Sequence, residues 1–438
     1  MYATLADGPH AKVLPDGLRP RFRPGGRSWW YETFEAASAR HSHLHWRLAF
    51  HRRAAGKRRV AHLRKGGRPL DGAPTVWVLR DADAEHTDQS VALAEALGWP
   101  YEQKDLRSGA LSRLPGGPGP TRIGQDRARS ASLAPVWPDV VIAAGPRPSQ
   151  AAREIGKRSR GHTRVVQLGR EGGQRADPFD ITVTYGHADL PADRRRIETA
   201  APLSRLTSER LARAAEHLPS WFENAARPRV VLWVGGSTAQ YRLDGATALR
   251  LAQDVRAFAE DAGGCVVAVT SPRTGPDATD ALELGLGASG TLRRWSPGQW
   301  ESPSLGFLAA ADAIVVTGES AFLLAQATAT GKPVYIYSLP RRRLGPRQRL
   351  ARWVEARARA RPRNRRGTVR PQQGVEYLCA RLIERAWIAP PPDVSELHQG
   401  LIRRGAALPF GAPFAAANPD PLREAENVAR TLQHLLGS

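Results

Sequence analysis

Val230-Val231-Leu232-Trp233-Val234-Gly235-Gly236-Ser237-Thr238 is a five-residue apolar run that stops abruptly at two glycines and two hydroxyls. A short apolar run bounded by turn residues reads as a strand buried on both faces. Helical spacing follows over residues 246–262, and a second apolar run covers 265–270. Strand, turn, helix and strand in that order make the unit of a parallel sheet sandwiched between helices. Downstream the unit recurs, with strands at 313–317 and 333–338 around a helix at 320–330 that Gly331 stops. Upstream it has already run once. Residues 75–80 read as a strand, 89–97 as a helix stopped by Gly98, 140–145 as a strand before a helix at 149–156, and 164–168 and 181–185 as further strands. An amphipathic helix is expected over 203–221, and Arg227-Pro228-Arg229 separates the two sets. The fold class expected is therefore α/β, with two Rossmann-like doubly wound domains facing across a cleft.

Four segments follow from this reading. Residues 1–72 are a basic, irregular extension, 73–226 the first Rossmann-like domain, and 227–420 the second, carrying a basic insertion at about 341–395. Residues 421–438 form a closing helix that packs back across the junction. A length of 438 residues fits two domains plus extensions at about 150 residues each.

The net charge of +22 is confined to the additions. Residues 1–70 hold 15 Lys/Arg against 4 Asp/Glu, and residues 341–370 hold 13 Arg against Glu355 alone, which leaves the rest of the chain at −1. The globular body is neutral, and the two basic appendages read either as solvated decoration or as segments drawn to anionic lipid headgroups or nucleic acid, with nucleic-acid binding, which rests on charge alone, the weaker expectation. No run of about 18 apolar residues is free of charge, so no membrane-spanning helix is expected. The first residues lack the order of a signal peptide, and Cys265 and Cys379 are too few for a disulfide framework. The expected location is the cytoplasm, peripherally on the inner face of the cytoplasmic membrane. His41, His43 and His45 alternate, but they lie among arginines with no Cys or carboxylate beside them, so a solvated segment is expected there and no metal site.

Ligands of open α/β sheets collect at the carboxyl ends of strands. Three such ends in the second domain are rich in hydroxyls and small residues: Gly235-Gly236-Ser237, Ser271-Pro272-Arg273-Thr274, and Thr317-Gly318-Glu319-Ser320. Their convergence on one pocket, with Arg273 gripping a diphosphate, is the binding-site expectation, and ordinary turn and helix-cap chemistry at Gly235-Gly236 and Thr317 to Ser320 is the alternative. Lys332, in Gly331-Lys332-Pro333, is the fourth candidate. In the first domain His187 and Asp189 follow the strand 181–185, and His86 follows the first strand. Either histidine could take the proton of an acceptor hydroxyl, or merely cap a loop. Dehydrogenase and short-chain epimerase chemistry is excluded. No G-x-G-x-x-G follows the first strand, Gly331-Lys332 is followed by Pro333, and none of the eight Tyr has Lys four residues on. No cofactor is expected.

Taken in order, Gln89-Ser90-Val91-Ala92-Leu93-Ala94-Glu95-Ala96-Leu97-Gly98, Val234-Gly235-Gly236-Ser237, Thr270 to Thr274, Val315 to Ser320, Thr330-Gly331-Lys332-Pro333-Val334-Tyr335 and Gly405 to Phe410 resemble the mitochondrial-fission elongated-mitochondria family of plants and proteobacteria. The resemblance covers about 74–340 and 396–437. It implies a layout like that of GT-B glycosyltransferases, with a nucleotide-sugar or other nucleoside diphosphate held by the second domain. Glycosyl transfer is the activity implied, and a non-catalytic scaffold that keeps the fold is the alternative. At two places the sequence departs from the family. Residues 81–88 contain no glycine, and Gln326 stands where a Glu in GT-B enzymes accepts hydrogen bonds from the donor ribose.

Overall fold

The computed structural model describes residues 33–34, 46–54, 57–66, 73–107, 130–133, 137–159, 162–169, 179–185, 196–216, 218–296, 304–359, 373–384, 387–388, 394–415 and 419–437. The chain divides into two compact units, residues 1–75 with 437–438, and residues 76–436.

In the first unit β1 (Trp46–Ala54) pairs antiparallel with β2 (Lys57–Gly66). The expectation of irregular backbone fails here. Apolar Trp46, Leu48 and Phe50 alternate with Arg47, Ala49 and His51, a period-two pattern that the density of arginine concealed.

The second unit holds two six-stranded sheets. The first is built from β3 (Val76–Arg80), β4 (Tyr101–Asp105), β5 (Val140–Ala144), β6 (Arg164–Leu168), β7 (Ile181–Tyr185) and β8 (Arg196–Thr199), in the spatial order β4-β3-β5-β6-β7-β8. The second is built from β9 (Arg229–Trp233), β10 (Cys265–Val269), β11 (Gly290–Arg293), β12 (Ala313–Thr317), β13 (Val334–Tyr337) and β14 (Leu408–Pro409), in the order β11-β10-β9-β12-β13-β14. All pairs within both are parallel. The two orders differ on one side of the opening strand, where the first sheet has one strand (β4) and the second has two (β10 and β11), but in each the chain reverses its direction of travel at that opening strand, β3 or β9. That reversal opens a crevice at the strand's carboxyl end, where ligands of doubly wound sheets sit. The chain thus has two Rossmann-like halves in a GT-B-like layout.

Helices cover both faces. In the first half they are α1 (Ala84–Leu97) and α2 (Pro146–Arg158); α3 (Ser208–Ala215) and α4 (Ser220–Glu223) follow in the linker and pack on the second half, where Phe222 is buried with Val231, Trp233 and Phe307. The second half has α5 (Gly245–Asp261), α6 (Pro276–Leu286), α7 (Ser304–Ala310), α8 (Ala321–Ala329), α9 (Pro346–Arg359), α10 (Gly374–Glu384) and α11 (Ser395–Arg403), and α12 (Glu424–Gly437) closes the chain. Two helices differ from expectation. Asp83 accepts hydrogen bonds from the Glu85 and His86 amides, so α1 begins at Ala84, inside what reads as a polar turn. The helix expected over 203–221 is two shorter ones. Thr207 caps α3 through the Arg210 amide, and Pro219 leads into a new start at Ser220.

Although α12 follows the second half in sequence, Ala425, Val428, Ala429 and Leu432 are buried with Val76, Val78, Leu93 and Ile142 of the first. Gln433 Nε2 donates to the Leu97 carbonyl at 3.0 Å, and Glu424 Oε1 accepts the Ala200 amide at 2.9 Å. This swap staples the halves together. Leu432 is fully buried, so Leu432→Ala should destabilise the fold by about 2–5 kcal/mol in denaturant titration, through lost transfer free energy and the cavity left behind.

Candidate functional site

The loops after β9, β10 and β12 meet. The Gly235 amide donates to Thr317 Oγ1 at 2.8 Å, and the Gly236 amide to Glu319 Oε1 at 2.6 Å. From the other side Ser271 Oγ and Thr274 Oγ1 donate to the Gly235 carbonyl at 2.8 and 2.6 Å. The glycines are needed for this approach. A Cβ on Gly235 would fall on the Glu319 carboxyl, and one on Gly236 on the Arg273 carbonyl. Thr317, Ser271, Thr274 and Glu319 are all buried. Their hydroxyls and the two amides satisfy one another, so the groups that read as a phosphate cradle act here as internal bracing. Ser237 Oγ is likewise engaged with the Leu243 backbone.

Glu319 is the costly member of this brace. Burial raises its carboxyl from the ordinary 4.5 to about 7, against the pull of the Gly236 amide, the Thr317 hydroxyl and Arg273. Oε1 is bonded, while Oε2 is buried with no partner among the described residues. Gly318 is fixed from the opposite side, where His398 Nε2 lies 2.6 Å from its carbonyl oxygen. Ser320 caps α8 through the Leu323 amide.

A cleft of about 980 Å³ opens in front of the brace. Its walls come from the carboxyl ends of both sheets, with Arg80, Asp81 and Arg107 on the first half and Ser271, Arg273 and Trp295 on the second. Phe322 and Leu323 also line it, so the first turn of α8 opens onto the space. Arg273 spans the cleft. Its Nη2 donates to Ser320 Oγ at 3.0 Å and lies 3.1 Å from Glu85 Oε1 on α1. The sequence predicts a diphosphate contact for Arg273 rather than an ion pair, whereas in the structure Arg273 is paired to a carboxylate of the other half. Burial raises the Glu85 carboxyl, and Arg273 pulls it down without cancelling the rise.

His86 packs on Gly145, with Nδ1 3.9 Å from Asp81 and 3.7 Å from Asp83. Both distances are too long for direct hydrogen bonds, so their influence is chiefly charge. Burial opposes protonation, yet the carboxylates outweigh it and the imidazole pKa is raised above 6.5. Gln326 is not part of the brace. It lies with Asp88, Arg205, Arg210, Trp233 and Leu305 around a space of about 20 Å³, large enough for one water. Burial lifts Asp88 to about 6 there, and Asp88 Oδ2 and Gln326 Oε1 are buried without a hydrogen-bond partner among the described residues. Lys332 is a correction. It precedes β13 and so stands at the amino end of the sheet, where its amide donates to Thr330 Oγ1 and Gly331 packs on Pro421. His187 and Asp189, like His41, His43 and His45, lie outside the described residues. Among the described residues no group of three or more His, Cys, Asp or Glu is placed to hold a metal.

Sequence reasoning passed over Glu85, Arg205 and His398. Glu85 is a first-turn acid beside a good cap, and Arg205 lies in the linker, where its guanidinium forks onto Glu95 at 2.6 and 3.0 Å. Nothing local to these residues marks them, because each partner is far away in sequence.

The family described as "Mitochondrial fission ELM1" matches residues 84–390. None of the curated proteins is similar enough to the chain to match it. Solved structures that resemble it include UDP-GlcNAc 2-epimerase from Neisseria meningitidis bound to UDP-GlcNAc, at 12% identity and TM-score 0.40 over 83% of this chain and 99% of that one. Another is the Staphylococcus aureus MnaA–UDP structure, at 12% identity and TM-score 0.42 over 83% and 97%. Acinetobacter baumannii MurG follows at 13% identity and TM-score 0.36 over 82% and 99%. At these values the likenesses carry nothing about this chain's own ligand.

The buried carboxyl has a pH signature. Its folded pKa, about 7, lies above the ordinary 4.5, so the folded state holds the proton more tightly than the unfolded chain. Its contribution is fully present below about pH 4.5, falls as pH rises to about 7 and is absent above, for a total of about 3 kcal/mol. Glu319→Gln should flatten that window and stabilise the protein above pH 7, read as Tm against pH. Gly236→Ala should destabilise more than Gly235→Ala, because its Cβ meets backbone rather than a side chain that can move.

Proposed function

We propose, on the premise that the chain belongs to the mitochondrial fission ELM1 family, that it binds a nucleoside diphosphate, carried as a nucleotide-sugar, in the cleft between its halves. The observation that carries this reading is Arg273. It is a half-exposed guanidinium on a loop that Ser271 and Thr274 anchor to the Gly235 carbonyl, reaching into a space of nucleotide size at the switch points of two parallel sheets. A guanidinium takes two phosphate oxygens at once. The first turn of α8 adds its positive dipole end. Trp295, about one-third exposed, offers a face for a base. His86, the described histidine that the sequence offers as a base, packs on Gly145 and does not line the cleft, so it would serve an acceptor hydroxyl only if the acceptor reached past α1. Its raised pKa places the competent neutral form toward alkaline pH.

The alternative is a scaffold that keeps the fold without turnover, and a specific observation favours weighing it. The Gly235 and Gly236 amides are already taken by Thr317 and Glu319, and Gln326 lies in a separate water-sized space among Asp88 and Arg205.

Calorimetric titration with nucleoside diphosphates and nucleotide-sugars tests the binding reading, and hydrolysis or transfer of the sugar separates enzyme from scaffold. Arg273→Ala should weaken binding by about 2 kcal/mol, the loss of one charge-assisted hydrogen-bonded contact. Glu85→Gln should tighten it, because the guanidinium no longer has to leave a carboxylate. Absence of binding by the unaltered protein, or an unchanged affinity in Arg273→Ala, overturns the assignment.

A further inference from the structure

The insertion carries a feature the cleft does not use. Its helices α9 and α10 pack on each other through Val354, Ala358, Cys379 and Ala380. Gln348 Nε2 donates to the Ala239 carbonyl and Arg352 Nη2 to Gln240 Oε1, which ties α9 to the loop that leaves Gly236. Ala351, Val354 and Ala358 recur at helical spacing and are buried, so the inward face of α9 is made of small residues. The outward face is unlike an ordinary solvated one. Trp353 is 50% exposed and Leu350 55%, and Arg349 and Arg357 stand one turn before and after the Trp. The Arg357 guanidinium lies 5.6 Å from the Trp353 ring centre. On α10, Val375 and Leu378 are exposed as well, and Trp387 just beyond it is 66% exposed. Of the eleven large apolar residues exposed among those described, five fall in this one insertion. The insertion is also where one of the two blocks of positive charge resides.

We infer that the α9–α10 insertion is a docking surface for an anionic lipid bilayer, with arginines on the headgroup phosphates and Trp353 and Leu350 at the acyl boundary. The physics is that of an interfacial amphipathic helix. Tryptophan and leucine gain from the headgroup–acyl boundary, while arginine is held by surface charge that falls off within a Debye length. A nucleic acid could occupy the arginines and stack on Trp353, but it would leave Leu350, Val375 and Leu378 with nothing apolar to meet. No helix among the described residues is long and apolar enough to cross a membrane, so contact through this surface would be peripheral. Because α9 is tied to the loop after Gly236, docking there would hold the second half at a fixed attitude to the bilayer. This inference does not depend on what the cleft binds.

The test is sedimentation of the full-length protein with vesicles of mixed phosphatidylcholine and phosphatidylglycerol, beside vesicles of phosphatidylcholine alone. Binding is expected to the mixed vesicles only, and to weaken steeply with salt. Arg349→Gln with Arg357→Gln should lower partitioning by about fivefold per arginine, and so by about twenty-five-fold for the pair. Trp353→Ala should lower it further, while Arg349→Lys with Arg357→Lys, which keeps the charge, should retain it. Circular dichroism should show these exposed substitutions folded. Should the glutamine pair fail to fold, loss of binding in Trp353→Ala together with its retention in the lysine pair decides in favour. Equal binding to neutral vesicles, unchanged partitioning in the glutamine pair because residues 1–70 do the binding, or a preference for oligonucleotides over vesicles at the same salt would each overturn the inference.

Discussion

The second half is organised around the approach of Gly235 and Gly236 to the loops after β10 and β12. The opening strand of a doubly wound sheet ends where its neighbours run to either side, so its carboxyl end is the one place where three strand-end loops come together. Whatever lies there must be small, and both amides and the carbonyl must be satisfied without water. Thr317, Glu319, Ser271 and Thr274 meet that demand from two sides. Arg273 then leaves the brace in one direction only, toward α1 of the other half.

Glu319 shows what this arrangement costs. A neutral acceptor would hold the Gly236 amide without the penalty of a buried charge, and the raised pKa measures that penalty. The carboxyl sits at the kind of amide cluster that in other α/β sheets receives an anion, so this chain carries its own acceptor inside the loop. A ligand in the cleft would therefore be met in front of the brace, by Arg273, Trp295 and the first turn of α8. The cleft wall opposite is mixed in sign, with Asp81, Asp83 and Glu85 beside Arg80 and Arg107. Such a wall suits a ligand with hydroxyls as well as phosphates.

The halves are joined by connections of different strength. Helix α12 is a buried apolar staple and does not open cheaply. The Arg205–Glu95 fork fixes the linker to α1. The contact between Arg273 and Glu85 is half-exposed and polar.

The sequence by itself determined the two parallel sheets, because Val230–Val234 and its counterparts are apolar runs too short and too evenly spaced by helices to be anything else. It also placed the closing helix, the neutral body and the basic additions. Short strands such as Gly290–Arg293 and Arg196–Thr199 were not legible, since edge strands need little apolar character. The early start of α1 was hidden because an Asp cap looks like a turn. The sequence marked Gly235, Ser271, Thr274, Thr317 and Glu319 as belonging together. Only the tertiary structure decided that their polar groups face one another rather than a ligand, that Arg273 pairs with Glu85, and that Lys332 stands at the far end of the sheet. The reason is one of range. Hydrophobic period and turn chemistry are written within a few residues, whereas the partner of a buried amide or a guanidinium is chosen across a fold that brings residues 85, 236, 273 and 319 together.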